Sequence, residues 1–400
     1  MFRALYNFVL LLLLPLWLWK EKKRAYIAQR IGLKLPSLSS ATIWIHAVSM
    51  GETRAVIKLV SELQKTHTIV FSTTTETGLA EAKKLFPNIA GHFILPVDFS
   101  WTIKRLRKKI NPQLLILVES DFWYNLITLG APQVVLVNGK ISQRSTIRFQ
   151  KLRFLSRKIF EKISLFCVQS ESYKDRFCRI GIPSSKIVVT GNLKLDTPIT
   201  PIDKEQWRQR LSISPQDRVI TLGSTHDPEE ELLLDALAPL SIKILLVPRH
   251  PERFDTVADL LKRKGIDFVR YSEGKPDPSK RVVLVDAMGI LNACYQLSEL
   301  AIVAGSFTAR VGGHNIFEPA ALGVPVLFGP HMHTQKELVD LVLCAGAGRQ
   351  VTTEQLRPLI EQFLENPPTV MAEAGRQLAK KSQGATTCTL EALKPFFNNL

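Results

Sequence analysis

Acidic residues stand at three places where a run of apolar residues stops, and each has neighbours that would give a carboxylate chemistry. The segment HAVSMGE follows the run TIWI and places Glu52 in the first turn of a helix. A carboxylate there can take a proton from an attacking hydroxyl. The same residues spell a capping box, Ser49-x-x-Glu52, which would satisfy orphan N–H groups and do nothing else. Glu119 and Asp121 follow LLILV directly, and acids after a buried strand are costly unless the strand end opens into a site. Glu318 follows a turn rich in glycine (Gly305, Gly312, Gly313), in a helix opening near Asn315. A strand that ends in glycines and feeds a helix favours phosphate. Glu318 would then accept hydrogen bonds from paired sugar hydroxyls, and phosphate with a diol is a nucleotide. Asn315-Ile316-Phe317-Glu318 is also a capping-box pattern, so here too both readings stand.

Basic and small polar residues end the other apolar runs. NGKISQRS begins at Asn138, and Lys194 precedes a polar, proline-rich break. GSTH begins at Gly223, and Pro248-Arg249-His250 puts a guanidinium where it can grip a phosphate or a base edge.

The elements that must position these groups are short apolar runs alternating with amphipathic segments. Runs at 42–45, 68–72, 93–96, 114–118, 133–137, 165–168 and 187–189 alternate with helical patterns such as 52–64. That alternation predicts a doubly wound parallel sheet. The polar, proline-containing stretch DTPITPIDK breaks it, and it restarts at 219–222, 243–247, 268–271, 282–285, 301–304 and 325–328. The expected organisation is an N-terminal segment at 1–30, a Rossmann-like domain at 31–196, a linker at 197–205 and a second Rossmann-like domain with a C-terminal helix at 206–400. Two α/β domains facing across a cleft would hold ligands at the carboxyl ends of both sets of strands. No period of 20 to 50 residues repeats, which excludes a solenoid.

Charge is distributed unevenly. Residues 1–200 hold 30 Lys and Arg against 12 Asp and Glu, whereas residues 201–400 hold 22 against 24. A one-sided basic surface calls for a polyanionic partner: nucleic acid, an anionic membrane or a phosphorylated substrate. The five cysteines are scattered with no CxxC, so neither a disulfide framework nor a zinc site is suggested. Residues 5–19, LYNFVLLLLLPLWLW, precede Lys20, Lys22, Lys23 and Arg24. Such a helix reaches about 22 Å, short of the roughly 30 Å hydrocarbon core, so it is a short span or a segment lying in the interface. A cleaved signal peptide would carry its charge on the other flank. The cationic flank places the rest of the chain on the cytoplasmic side.

Taken in order, HAVSMGE, ESDFWYN, NGKISQRS, GNLKLD, GSTHDPEE, VPRHPERF and GGHNIFEPAALGVPVLFGP resemble the 3-deoxy-D-manno-octulosonic acid (Kdo) transferases of lipopolysaccharide synthesis over nearly the whole chain. The resemblance implies a GT-B fold, with the acceptor on the N-terminal domain and CMP-Kdo on the C-terminal one. By that resemblance Glu52 is the proton acceptor, and Glu119 and Lys194 stabilise the transition state. Pro248 with Arg249, then Met288, Gly289 and Ile290, then Asn315, Ile316, Phe317 and Glu318, are the CMP-binding segments. It implies inverting transfer of Kdo to lipid IVA at the cytoplasmic face of the inner membrane, against its anionic leaflet, with neither cofactor nor metal. Three departures stand out. Ile290 replaces the family's usual Glu, Asp121 and Tyr124 replace Glu and Pro, and Gly139-Lys140 replaces Ala-Arg. The last two lie on the acceptor side. A GT-B enzyme using a UDP-sugar is the neighbouring alternative. A membrane-tethered nucleic-acid binder would be poorly served by acids at its strand ends.

Overall fold

The structure, a computed structural model, describes residues 2–20, 24–32, 40–196 and 201–397. The chain forms two compact units, Met1–Thr197 with Ser382–Leu400, and Pro198–Lys381. The first holds strands β1 (Ile43–His46), β2 (Ile69–Thr73), β3 (Gly91–Ile94), β4 (Leu114–Val118), β5 (Gln133–Gly139), β6 (Leu165–Val168) and β7 (Ile187–Val189). They pair in the order β3-β2-β1-β4-β5-β6-β7, every pair parallel. The second holds β8 (Val219–Thr225), β9 (Lys243–Pro248), β10 (Phe268–Arg270), β11 (Val282–Leu284), β12 (Leu300–Val303), β13 (Val326–Phe328) and β14 (Gly348–Gln350). Their order is β10-β11-β9-β8-β12-β13-β14, again all parallel.

Continuous apolar runs become these strands because a parallel sheet covered by helices on both faces must be apolar on both. β1, β2 and β4 are buried at every position. One face of the first sheet packs Trp44, Leu115 and Phe166 into one core, and the other packs Ile45, Phe71 and Ile116 into a second. Chain order reverses between β1 and β4 in the first sheet and between β8 and β12 in the second. At such a switch point the helices leave toward opposite faces, opening a crevice beyond the carboxyl ends of the two central strands. Glu52 follows β1 and Glu119 follows β4; His226 follows β8 and Gly305 follows β12.

Several expectations are corrected. The helix read over 52–64 is two, Met50–Ala55 and Ile57–Leu63, divided at Val56. β14 was not anticipated, because Gly348-Arg349-Gln350 is a polar edge strand with two exposed residues. The linker's residues 197–200 lie outside the described residues, and its end is already helical: Lys204–Arg210 is capped by Asp203, which accepts from Gln206 N at 3.1 Å. The helix expected to open near Asn315 is only Phe317–Ala321. The C-terminal helix Ala385–Phe397, assigned by sequence to the second domain, packs on the first unit, with Ala385 and Leu393 in the core beside Val56 and Leu193.

Asp196 fastens this return. Its buried carboxylate accepts from Gly384 N at 3.1 Å and Thr386 N at 2.7 Å, and Lys58 Nζ lies 3.2 Å away. Burial works against the ionised form, but the bonds to Thr386, Gly384 and Lys58 win and hold the group below the usual carboxylate range. The stability it contributes is therefore present above the unfolded value of about 4 and is lost as pH falls through the depressed folded value. Asp196→Ala, which leaves two amides without an acceptor, is expected to cost about 2–4 kcal/mol in urea unfolding at neutral pH. A change below about 0.5 kcal/mol would mean that the helix docks by apolar contact alone.

The N-terminal helix Phe2–Lys20 lies along the first unit; Met1 and residues 21–23 of the expected anchor lie outside the described residues. Tyr6 Oη donates to Asp98 at 3.0 Å. Asn7, the polar break in the apolar run, bonds Ser100 Oγ at 2.8 Å and accepts from Asn125 Nδ2 at 2.9 Å. Phe2 and Tyr6 both pack edge-on to Tyr124. Leu5, Phe8, Val9, Leu12 and Leu13 remain exposed on the other side. No helix among the described residues is long and apolar enough to cross a membrane.

Candidate active site

In the first unit, Glu52 stands in the first turn of Met50–Ala55. Its Oε2 accepts from Ser49 N at 3.2 Å and from Val48 N. The Glu52 half of the capping box is therefore made, by one oxygen. Among the described residues, Oε1 takes no hydrogen bond. Burial, and then the neighbouring charge of Glu119, push the carboxyl above its ordinary range, against the two amide bonds.

Glu119 ends β4 in a left-handed conformation, φ 65°, which a residue with a Cβ adopts at a cost of roughly 1–2 kcal/mol. The turn aims its carboxylate at two lysines from later strand ends: Lys194 Nζ at 2.6 Å and Lys140 Nζ at 2.9 Å. Burial pushes this group up, but the two ammonium groups outweigh it and hold it below the usual range. Asn138, also left-handed at φ 51°, braces the cluster: Nδ2 lies 3.4 Å from Glu119 Oε1, and Oδ1 accepts from Leu193 N at 3.0 Å. That second bond fixes the short turn Leu193–Leu195 that carries Lys194. Glu52, Glu119 and Lys194, named from the sequence, are thus brought together. Two carboxylates at one switch point are driven to opposite sides of their normal pKa, the arrangement that separates a proton acceptor from a permanent charge.

A chain of polar groups backs this site; Asp121 was named from the sequence, but Trp44, Ser72 and His46 were not. Trp44 Nε1 donates to Ser72 Oγ at 2.8 Å, Ser72 Oγ lies 2.8 Å from His46 Nδ1, and His46 Nε2 lies 2.8 Å from Asp121 Oδ2. The serine oxygen accepts from the indole, and the ring N–H on Nε2 donates to the carboxylate, which can only accept. The signal available was His46 itself, a histidine directly after the buried run IWI, but its partners are distant in sequence.

In the second unit, β8 carries a bulge between Gly223 and Thr225, with Ser224 left-handed at φ 58°. A Cβ on Gly223 would stand 2.1 Å from the Tyr295 hydroxyl, so only glycine fits there. Arg249 follows β9 and its amide donates to Thr225 O at 3.1 Å. Met288, Gly289 and Ile290 lead into the helix Leu291–Gln296, whose Asn292 Nδ2 lies 3.5 Å from Glu318 Oε1. That contact ties Glu318 to the helix that follows the 288–290 segment, through a residue not named from the sequence. Burial raises Glu318 and the Asn292 bond opposes the rise. Asn315 Oδ1 accepts from Phe317 N at 3.1 Å, so at Glu318 the capping box is not made. Pro248 is buried at the end of β9, while Met288 is more than half exposed.

Glu229, which sequence did not single out, holds the glycine turn. Fully buried, it accepts from Gly305 N at 2.6 Å, Phe307 N at 2.8 Å and His226 N at 3.3 Å. Glu229→Ala would leave three amides without their acceptor. It is expected to cost about 2–4 kcal/mol and to weaken nucleotide binding at least tenfold. Chemical denaturation and calorimetric titration check the two effects separately.

Two doubly wound parallel units, each with charged groups at its switch point, define a fold of the GT-B type. A UDP-GlcNAc 2-epimerase from Neisseria meningitidis, bound to UDP-GlcNAc, shares this fold at a TM-score of 0.60 and 17% identity, over 88% of this chain and 99% of that one. The family described as 3-deoxy-D-manno-octulosonic-acid transferase (kdotransferase) matches residues 24–197. The 3-deoxy-D-manno-octulosonic acid transferase of Chlamydia trachomatis serovar A is 35% identical over 382 residues, 91% of this chain and 88% of that protein. Its namesake from Haemophilus influenzae is 32% identical over 423 residues, 99% of each. The chain belongs to the Kdo transferase family and is a glycosyltransferase.

Proposed function

We propose that the enzyme transfers Kdo from CMP-Kdo to lipid IVA with inversion at the anomeric carbon, releasing CMP, and that Glu52 is the general base. The observation that carries this reading is the state of Glu52: one oxygen is pinned to the helix start, the other takes no bond among the described residues, and its pKa is raised by burial and by Glu119. A fixed carboxylate with one open oxygen can remove the proton of a sugar hydroxyl as it attacks, and a raised pKa makes it the stronger base. Glu119 is engaged by Lys194 and Lys140, which leaves Glu52 as the carboxylate with an open oxygen and supports direct displacement. Lys194 and Lys140, anchored on Glu119, supply positive charge at the same strand ends for the negative charge of the reacting groups. Pro248, Arg249, Met288, Gly289, Ile290, Asn315, Ile316, Phe317 and Glu318 would bind the nucleotide, with side-chain and backbone groups in place of a metal or other cofactor.

The exposed apolar face of the N-terminal helix and the basic excess of the first half support a position on the anionic cytoplasmic leaflet of the inner membrane. The reading gives no role to nucleic acid. The test is transfer from CMP-Kdo, generated in situ, to lipid IVA, followed by product mass. Kdo-bearing product is the expected result, and its mass counts the sugars added. Binding of CMP without transfer would sink the acceptor assignment, and preferential binding of UDP-GlcNAc would sink the donor.

A further inference from the structure

At the switch point of the second sheet, His226 follows β8 and His314 lies against Gly305 beyond β12. Their Nε2 atoms are 2.8 Å apart and their rings nearly parallel, at 9°. Two bare nitrogens at that distance would repel and two N–H groups would collide, so one ring donates and the other accepts. In the neutral pair the accepting ring carries its own proton on Nδ1, and the donating ring has a bare Nδ1. One further proton fits on that bare nitrogen without breaking the N–H···N bond. The pair is therefore built to hold one proton charge more or less.

The groups around it leave a negative charge wanting. The His250 ring is 5.1 Å from that of His226, and Arg249 and Arg253 add positive field. Of the nearby acids, Glu230 is paired with Arg253, Asp227 lies 3.5 Å from Arg310, Glu252 lies 3.7 Å from His250, and Glu229 is committed to its three amides. Arg249, by contrast, makes no side-chain ion pair or hydrogen bond among the described residues. Burial first lowers both histidines; the next contribution is His250 at His226, where Glu230 opposes it ahead of the arginines, and His226 at His314, which falls to about 4. A neutral pair beside an uncommitted guanidinium, in the crevice where a sheet of this kind binds ligands, is a site for an anion.

We propose that the His226–His314 pair takes up one proton when the phosphate of the donor nucleotide binds, and gives it to that phosphate as the sugar leaves. This rests on the donor assignment above. The bond from the anomeric carbon to the phosphate oxygen breaks with its electron pair remaining on the phosphate, while a bond to the acceptor hydroxyl oxygen forms. The hydroxyl proton goes to Glu52. The proton of the pair goes to the phosphate, which leaves as a nucleoside monophosphate monoanion. The neutral pair is recharged from solvent when the next donor binds.

The probe is the methyl ester of cytidine 5′-monophosphate, a phosphodiester that does not itself titrate near neutrality, so proton uptake on binding must come from the protein. Calorimetric titration of the full chain at about pH 6, in two buffers of different ionisation enthalpy, is expected to show uptake of roughly half a proton, since an anion in contact raises a pKa by about 1–3 units. His314→Gln and His226→Gln should each bind the ester within about tenfold of the parent yet take up almost none. In transfer assays, both should lose rate by about 10–100-fold together with the fall of rate at high pH that marks an essential acid. Equal uptake in parent and variants would overturn the proposal. Should one variant fail to fold, as judged by its melting curve, the other decides. If uridine 5′-monophosphate methyl ester binds and the cytidine ester does not, the donor assignment falls, and uptake measured with the uridine ester decides the pair.

Discussion

Glu52→Gln is expected to lower kcat for Kdo transfer by about 10²–10⁴-fold, with nucleotide affinity and melting temperature close to the parent's. The substitution separates two roles that one carboxylate fills. As a cap, Glu52 needs only an acceptor oxygen toward Val48 N and Ser49 N, and a glutamine carbonyl supplies one. As a base it needs an ionisable carboxylate, which glutamine lacks. A variant that keeps its stability but not its rate identifies the base; one that loses stability and rate in proportion shows a cap alone. In the parent the working form is the carboxylate. Because burial and Glu119 raise its pKa, the acid limb of the rate profile should lie above the ordinary glutamate range.

Glu119→Gln is the second large effect, with two parts of opposite sense. Removing the charge takes from Lys194 and Lys140 the carboxylate they now meet at 2.6 Å and 2.9 Å. The turn Leu193–Leu195 should loosen, and kcat should fall by about 10–10²-fold. Glu52 loses a negative neighbour and feels the lysines more strongly, so its pKa should drop and the acid limb should move down by about one unit. A pH–rate profile reads both parts at once. A lower rate with an unmoved limb would mean that Glu119 acts through structure and not through its charge on Glu52.

The strands were legible because a parallel sheet covered on both faces demands uninterrupted apolar runs, and runs such as LLILV can hardly be anything else. β14 escaped because an edge strand of Gly-Arg-Gln makes no such demand. At Glu52 the sequence offered cap and base as rivals, and it could not choose because both require the same carboxylate at the same place. The carboxylate has two oxygens, and the structure assigns only one of them to the cap. At Glu318 the same pattern is present but Asn315 turns to Phe317 N, leaving the acid to Asn292. Local spacing cannot report that choice, since Asn292 belongs to a different helix. The His46–Asp121 and Glu229–Gly305 bonds were illegible for the same reason, each joining residues far apart along the chain. The amphipathic face of Ala385–Phe397 identifies a helix, but nothing in its period names the sheet it covers.

That last helix changes what counts as a part of this protein. The polypeptide passes from the first unit to the second and, near Ser382, back again, so the first unit is discontinuous in sequence and the second is inserted within it. A single proteolytic nick after residue 196 would leave the halves tied through the returning segment, and two cuts would be needed to release an independent fragment. A fragment ending at residue 196 would also lack the helix that covers Leu193 and presents an apolar surface to solvent. The second unit can be excised as one stretch, whereas the first can be made whole only by splicing its tail back on.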